Sequence, residues 1–229
     1  MVEDRYCSPT IMDRLAFRAD GLTSLSEDDD WRAGCVAFIE AEGKVALVRK
    51  STDDATDYDL AGLWAMPGGM IRRQSPGATR EVEKAARSSL ASRVEVEAGL
   101  KLPAAWNTPD LGPIVSRYLR RGRTRWTLLL ARTFTIQSPV PLCPIDRTIS
   151  EARWARVAPT WETIAPANRL ALAHILWPRL SESEKAHARE WVEKAKVECS
   201  GWAREVGLPI PPSPWASVQR LREWTATFI

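Results

Sequence analysis

Residues 62–100 constrain this chain more than any other stretch. They run from Gly62-Leu63-Trp64 through Pro67-Gly68-Gly69 into an alanine-rich, charged segment that closes on Glu97-Ala98-Gly99-Leu100. Ser75-Pro76 is a helix start, because serine caps free amides and proline suits the first helical position. No proline follows before Ala98, and Gly99 suits a helix C-terminus, so the pattern predicts one helix, or two abutting ones, over residues 76–98. A glycine-rich loop feeding a carboxylate-bearing helix is a build suited to a metal-diphosphate site. Glycines admit close backbone approach, and acids on the helix reach a Mg2+ ion that bridges phosphates.

The flanking segments supply a sheet. Residues 34–39 and 44–49 read as a hairpin. Residues 114–119 and 126–136 read as two more strands, with Arg117, Arg120, Arg121, Arg123 and Arg125 around the Gly122 turn between them. That basic group is either a solvated turn or a clamp for an anion. Residues 151–157 read as a last short strand, and 168–180 as an amphipathic helix. The chain divides into a polar arm at 1–31, an α/β domain at 32–180 and an all-helical extension at 181–229. In the extension Ala188, Trp191, Ala195, Glu198 and Trp202 recur at three- and four-residue spacing, which puts them on one helix face.

Bulk charge is balanced, with 32 basic and 29 acidic residues, which argues against a general nucleic-acid-binding protein. The four cysteines form no C-x-x-C pair, so they read as free thiols of a cytoplasmic protein without structural zinc. No apolar run approaches the ~20 residues of a membrane span. The tryptophan-bearing tail is expected either to cover the domain or to form a homodimer contact.

In order, Gly62-Leu63-Trp64, Pro67-Gly68-Gly69, the long helix, Gly99-Leu100 and Glu151-x-x-Trp154 before a closing helix resemble a Nudix hydrolase domain, over residues 32–180. The resemblance implies an α/β/α sandwich around a mixed sheet, here with a C-terminal all-helical extension. It also implies Mg2+ as cofactor and hydrolysis of a phosphoanhydride in a nucleoside-diphosphate-type small metabolite. The family box is G-x5-E-x7-R-E-U-x-E-E-x-G-U, with U a bulky aliphatic residue. It leaves 20 residues between its outer glycines, whereas 29 lie between Gly69 and Gly99. Counted from the C-terminal end, the Arg-Glu pair falls on Ser92-Arg93, the Glu-Glu pair on Val96-Glu97 and the earlier glutamate on Lys84. Counted from Arg80-Glu81-Val82, the acidic pair falls on Lys84-Ala85. Glu83 and Glu97 would share a helix face but sit about 21 Å apart along it, too far for one ion.

The site that the resemblance implies has Glu97 and Glu151 as metal ligands and catalytic acids. Gly68 and Gly69 would shape the phosphate loop, and Arg72, Arg93 and Trp126 would contact substrate. Each has a plainer alternative. Arg93 and Glu97, four apart, can pair on the helix surface. Glu151 can be a solvated strand end, Arg72 a solvated loop residue, and Trp126 part of the core. Two functions stay open: a hydrolase with a degenerate metal site, or a Nudix-fold module that has lost hydrolysis, binds a nucleotide-like ligand and signals through its helical tail.

Overall fold

The computed structural model describes residues 30–53, 58–70, 79–103, 110–156 and 158–226. Residues 1–29 of the expected arm, Arg72, and the start of the expected helix at 76–78 lie outside them, and the last two arm positions, Asp30 and Trp31, belong to the first strand.

Seven strands form one mixed sheet: β1 (Asp30–Ala41), β2 (Lys44–Lys50), β3 (Trp64–Ala65), β4 (Gly68–Met70), β5 (Asp110–Arg120), β6 (Arg123–Thr135) and β7 (Ile149–Ala155). The main path runs β3-β2-β1-β6-β5, with β4 paired to β1 and β7 to β2. The expected hairpin exists, but β1 and β2 pair only at Glu40 with Val45 and Ala41 with Lys44. Beyond that corner β1 runs parallel to β6 from Asp30 with Arg125 to Glu40 with Thr135. This explains the unbroken apolar run Leu128-Leu129-Leu130-Ala131 in β6: a strand flanked on both sides and covered on both faces does not alternate.

Among the described residues four α-helices pack on the sheet. Helix α1 (Thr79–Ala98) lies against β1, β2, β4 and β7. Its buried face is Leu90, Val94, Glu97 and Ala98, spaced as neighbours on one stripe. Helix α2 (Pro166–Leu176) is buried almost all round. Helix α3 (Glu182–Glu205) starts on a capping box, in which Ser181 and Glu184 exchange side-chain and backbone bonds. It packs on α2 and β5. Helix α4 (Val218–Ala226) follows the proline segment and also reaches β5. With α1 on one side of the sheet and α3 on the other, the architecture is the α/β/α sandwich expected from the sequence. No helix among the described residues is long and apolar enough to cross a membrane.

The tail face differs from the expected one. The buried stripe of α3 is Ala188, Val192, Ala195, Cys199 and Ala203, while Trp191 and Trp202 are only half-buried and Glu198 is exposed. Small side chains occupy the stripe because they let α3 approach α2 closely, and the indoles flank the contact.

One buried group ties the tail to pH. His174 of α2 stacks on Trp224 of α4 at 5.9 Å, and neither ring nitrogen has a hydrogen-bond partner. Burial, with help from Lys196, pushes its pKa down to about 3. The unfolded chain therefore holds the proton more tightly between pH 6.5 and 3, so stability is full above 6.5 and falls as pH drops through that window. The slope is about 1.4 kcal/mol per pH unit, or about 2 kcal/mol lost at pH 5. Urea unfolding at pH 7 and pH 5 should show this loss, and His174→Phe should flatten it. An unchanged pH dependence in that variant would rule out His174 as the source.

Candidate anion-binding cavity

Glu97 is the centre of the site. The stripe that buries Val94 and Ala98 also buries Glu97, which is 0% exposed. An isolated carboxylate there would be too costly, so it must be neutralised by partners. Its Oε2 accepts the Gly68 amide at 2.9 Å. Its Oε1 accepts Lys50 Nζ at 3.2 Å and also Arg93 Nη2. The Arg93–Glu97 pair thus forms, but with its carboxylate fully buried and its guanidinium only partly exposed rather than both on a solvated helix surface.

Arg93 is held from its other end too, by Asp146 Oδ2 at 2.9 Å from Nη1. Asp146 reaches it because residues 143–146 fold over the last turn of α1. Cys143 N donates to Ala98 O, and the Ile145 and Asp146 amides both donate to Val96 O. The segment thereby satisfies helix carbonyls that have no partner within the helix. Asp146 Oδ1 accepts the Thr148 amide and hydroxyl, each at 2.8 Å. Burial opposes ionisation of Asp146, but the two Thr148 donors and Arg93 together hold its carboxyl below the usual range.

These groups border a cavity of about 410 Å³. Among the described residues its lining includes Lys50, Arg93 and Arg120 against one carboxylate, that of Glu97. Tyr58 and Tyr118 form an aromatic wall, edge to face at 5.8 Å, with the Arg120 guanidinium 5.0 Å from the Tyr58 ring centre. Burial pushes the Tyr58 phenol up to about 12, with Tyr118 raising it further and Arg120 opposing, so it stays a neutral donor. Residues 58–62 strap the cavity to the edge strand. Asp59 N donates to Leu119 O, and Leu119 N donates to Asp59 Oδ2.

The expected site residues separate into three groups. Glu97, Arg93, Gly68 and Gly69 line the cavity together. Glu151 does not: it sits opposite Arg49 on β2, about half exposed, with its carboxylate 4.0 Å from Arg49 Nη1. Glu97 takes Lys50, the next residue of that strand, and successive strand residues face opposite sides. Trp126 also points away. It is buried opposite Arg117, which stacks over it at 5.4 Å, while Thr127 lines the cavity. Arg72 lies outside the described residues. Lys50 and Asp146 were missed by sequence reasoning.

The donor set does not fit Mg2+. Both acceptor positions of Glu97 Oε1 are taken by cations, and one of the two on Oε2 by an amide. Three of the four acceptor positions of Asp146 are taken by Thr148 and Arg93. A divalent ion would have to displace Lys50 and Arg93 from a fully buried carboxylate. Among the described residues no group of three or more His, Cys, Asp or Glu side chains is placed to hold a metal.

No family model matches the sequence, and no curated protein is similar to it. Similar solved structures include a MutT NUDIX hydrolase from Burkholderia pseudomallei, at 17% identity and TM-score 0.38, covering 62% of this chain and 95% of that one. Another is the NUDIX domain of Shewanella oneidensis NrtR complexed with ADP ribose, at 14% identity and TM-score 0.42, covering 66% and 88%. A third is a MutT protein from Methanosarcina mazei, at 18% identity and TM-score 0.36, covering 73% and 94%. The likeness is one of fold, and at these TM-scores it carries no argument about chemistry.

Proposed function

We propose that this chain is a Nudix-fold module that binds a phosphorylated, nucleotide-like small molecule and lacks the metal-dependent hydrolysis of the resembled family. The observation that carries this reading is the state of Glu97: fully buried, and bound to Lys50, Arg93 and the Gly68 amide. That acid was the strongest remaining candidate for a metal ligand, and its second, Glu151, lies elsewhere. The cavity's size is in the range of small-ligand sites. Its cations suit an anionic head, and its tyrosines suit an aromatic group.

The helical tail is placed to report occupancy. Helix α3 packs on β5, which carries Ser116, Tyr118 and Arg120 into the cavity, and Arg117 of β5 pairs with Glu205 at 3.8 Å.

Thermal unfolding of the full chain against a panel of nucleoside diphosphate derivatives tests the reading. A bound compound at a hundred times its Kd should stabilise by about 2.7 kcal/mol, equally with chelator and with Mg2+. Metal-dependent turnover that disappears in Glu97→Gln would restore the hydrolase and sink the proposal.

A further inference from the structure

We infer that Lys50 is the phosphoryl-binding residue of the cavity, standing where a site of this type would use a divalent cation, and that Glu97 is its positioning residue. The inference rests on the reading above that the cavity holds a phosphorylated ligand. It assigns the anion contact to a residue outside the glycine loop and the helix.

The three cations of the cavity are not equivalent. Arg93 has both terminal nitrogens on carboxylates, one on Glu97 and one on Asp146. Arg120 lies over the Tyr58 ring at the strap. Lys50 sits at the end of β2 with its side chain 17% exposed and borders the cavity. An ammonium has three N–H donors. Glu97 Oε1 takes one of them at 3.2 Å, and no other acceptor meets Lys50 Nζ among the described residues. Lys50 therefore brings open donors to the cavity from a largely buried side chain, and a hydrogen bond from a charged donor to phosphate is stronger than one between neutral groups.

Glu97 cannot itself move to meet a ligand. The Gly68 amide fixes one oxygen and Arg93 shares the other. Its role is to hold the Lys50 ammonium at the cavity floor. The charges of Lys50, Arg93, Glu97 and Asp146 cancel and Arg120 leaves the cavity one positive charge, so the anion is recognised by directed donors with only a modest net field. Neutralising either acid tips the cluster positive. The sign of that effect separates this site from a metal site, in which loss of the acid removes the metal and weakens binding.

The test is calorimetric titration of the full chain with inorganic pyrophosphate and with ADP, in EDTA and in Mg2+. Wild type should bind both probes equally in the two buffers. Lys50→Gln should weaken both by about tenfold or more, since a charged hydrogen bond is lost. Glu97→Gln, which keeps a side-chain oxygen to accept from Lys50 while losing the charge, and Asp146→Asn should each tighten binding, by about threefold or more. Circular dichroism confirms folding of each variant, and Asp146→Asn keeps the sign test available if Glu97→Gln unfolds. Binding that needs Mg2+, unchanged affinity in Lys50→Gln, or weaker binding in folded Glu97→Gln or Asp146→Asn overturns the inference. Pyrophosphate behaving as expected while no nucleoside diphosphate binds would support Lys50 and sink the nucleotide reading. ADP bound only with Mg2+, or no binding of either probe in either buffer, would overturn both.

Discussion

Replacing Arg169 by Met is expected to remove about 2–4 kcal/mol of folding stability, the loss when buried backbone carbonyls are left short of donors. Arg169 lies on α2, 7% exposed, and no carboxylate pairs with it directly. Its guanidinium instead donates to three backbone carbonyls. Nε and Nη2 reach Ile164 O at 3.1 and 2.7 Å, Nη2 reaches Glu162 O at 2.9 Å, and Nη1 reaches Trp191 O at 3.2 Å. The first two carbonyls belong to the turn that enters α2, and the third belongs to α3. One side chain therefore sews the tail helix to the domain. Methionine would fill the space of the stem and take these donors from the Ile164 and Glu162 carbonyls, while Trp191 O keeps only its place in the α3 ladder. Lys would keep the charge but not the planar fork, so Arg169→Lys should fall between wild type and Met. Urea unfolding gives the stability change, and hydrogen exchange should show α3 amides losing protection first. A loss below about 1 kcal/mol, or unchanged protection along α3, would show that the tail is held by its small-residue stripe alone.

Most of the elements could be read from the sequence because their signals are local. The α1 helix ends where Gly99 predicts, at a positive φ of 73° that other residues adopt at a cost. The turn at Arg121-Gly122 separates β5 from β6 as its composition suggests. The pairing could not be read. Nothing local in residues 30–41 says that this strand leaves β2 after two residue pairs and runs parallel to β6. The Pro67-Gly68-Gly69 run reads as a turn, yet Gly68–Met70 is a short strand on β1, because the glycines fit against that strand's backbone. In α3, tryptophans at helical spacing drew the predicted face towards themselves, while the contact is made by the alanines between them.

The site was legible to the same depth. Glu97 was found because it sits in the box, and its partnership with Arg93 follows from four-residue spacing on a helix. Its burial was not visible, since it depends on which stripe of α1 the sheet covers. Lys50 ends an apolar strand and carries no local mark of its role. It is distinguished only by meeting Glu97 across 47 residues of sequence. Asp146 has a weak signal, an Asp two residues before a Thr, which is the pattern of a side chain capping its own turn. Its meeting with Arg93 depends on a fold-back of residues 143–146 that a proline-rich loop does not announce. Glu151 illustrates the opposite error. The correct acid at the correct spacing from Trp154 still faces Arg49 rather than Glu97, because facing is decided by strand register.

The two adjacent glycines of the box should respond very differently to alanine. Gly68→Ala is expected to cost about 3 kcal/mol or more, and Gly69→Ala about 1 kcal/mol or less. Gly68 has φ 148°, and a Cβ there would lie 2.4 Å from Cys35 O and 2.7 Å from Val36 Cα. Both are backbone atoms of β1, the strand paired in register with β4, so neither can yield without opening the sheet. The same movement would carry the Gly68 amide away from Glu97 and leave the buried carboxylate short of a donor. At Gly69 the nearest neighbour of an added Cβ is Arg93 Nε at 3.0 Å, the far part of a flexible side chain. Arg93 can give way by a few tenths of an ångström and still reach Asp146. Urea unfolding of the two variants measures the difference, and equal losses would refute the contrast. Gly68 is required by close packing on β1 and by the amide that it presents to Glu97, so its presence is accounted for without any phosphate loop.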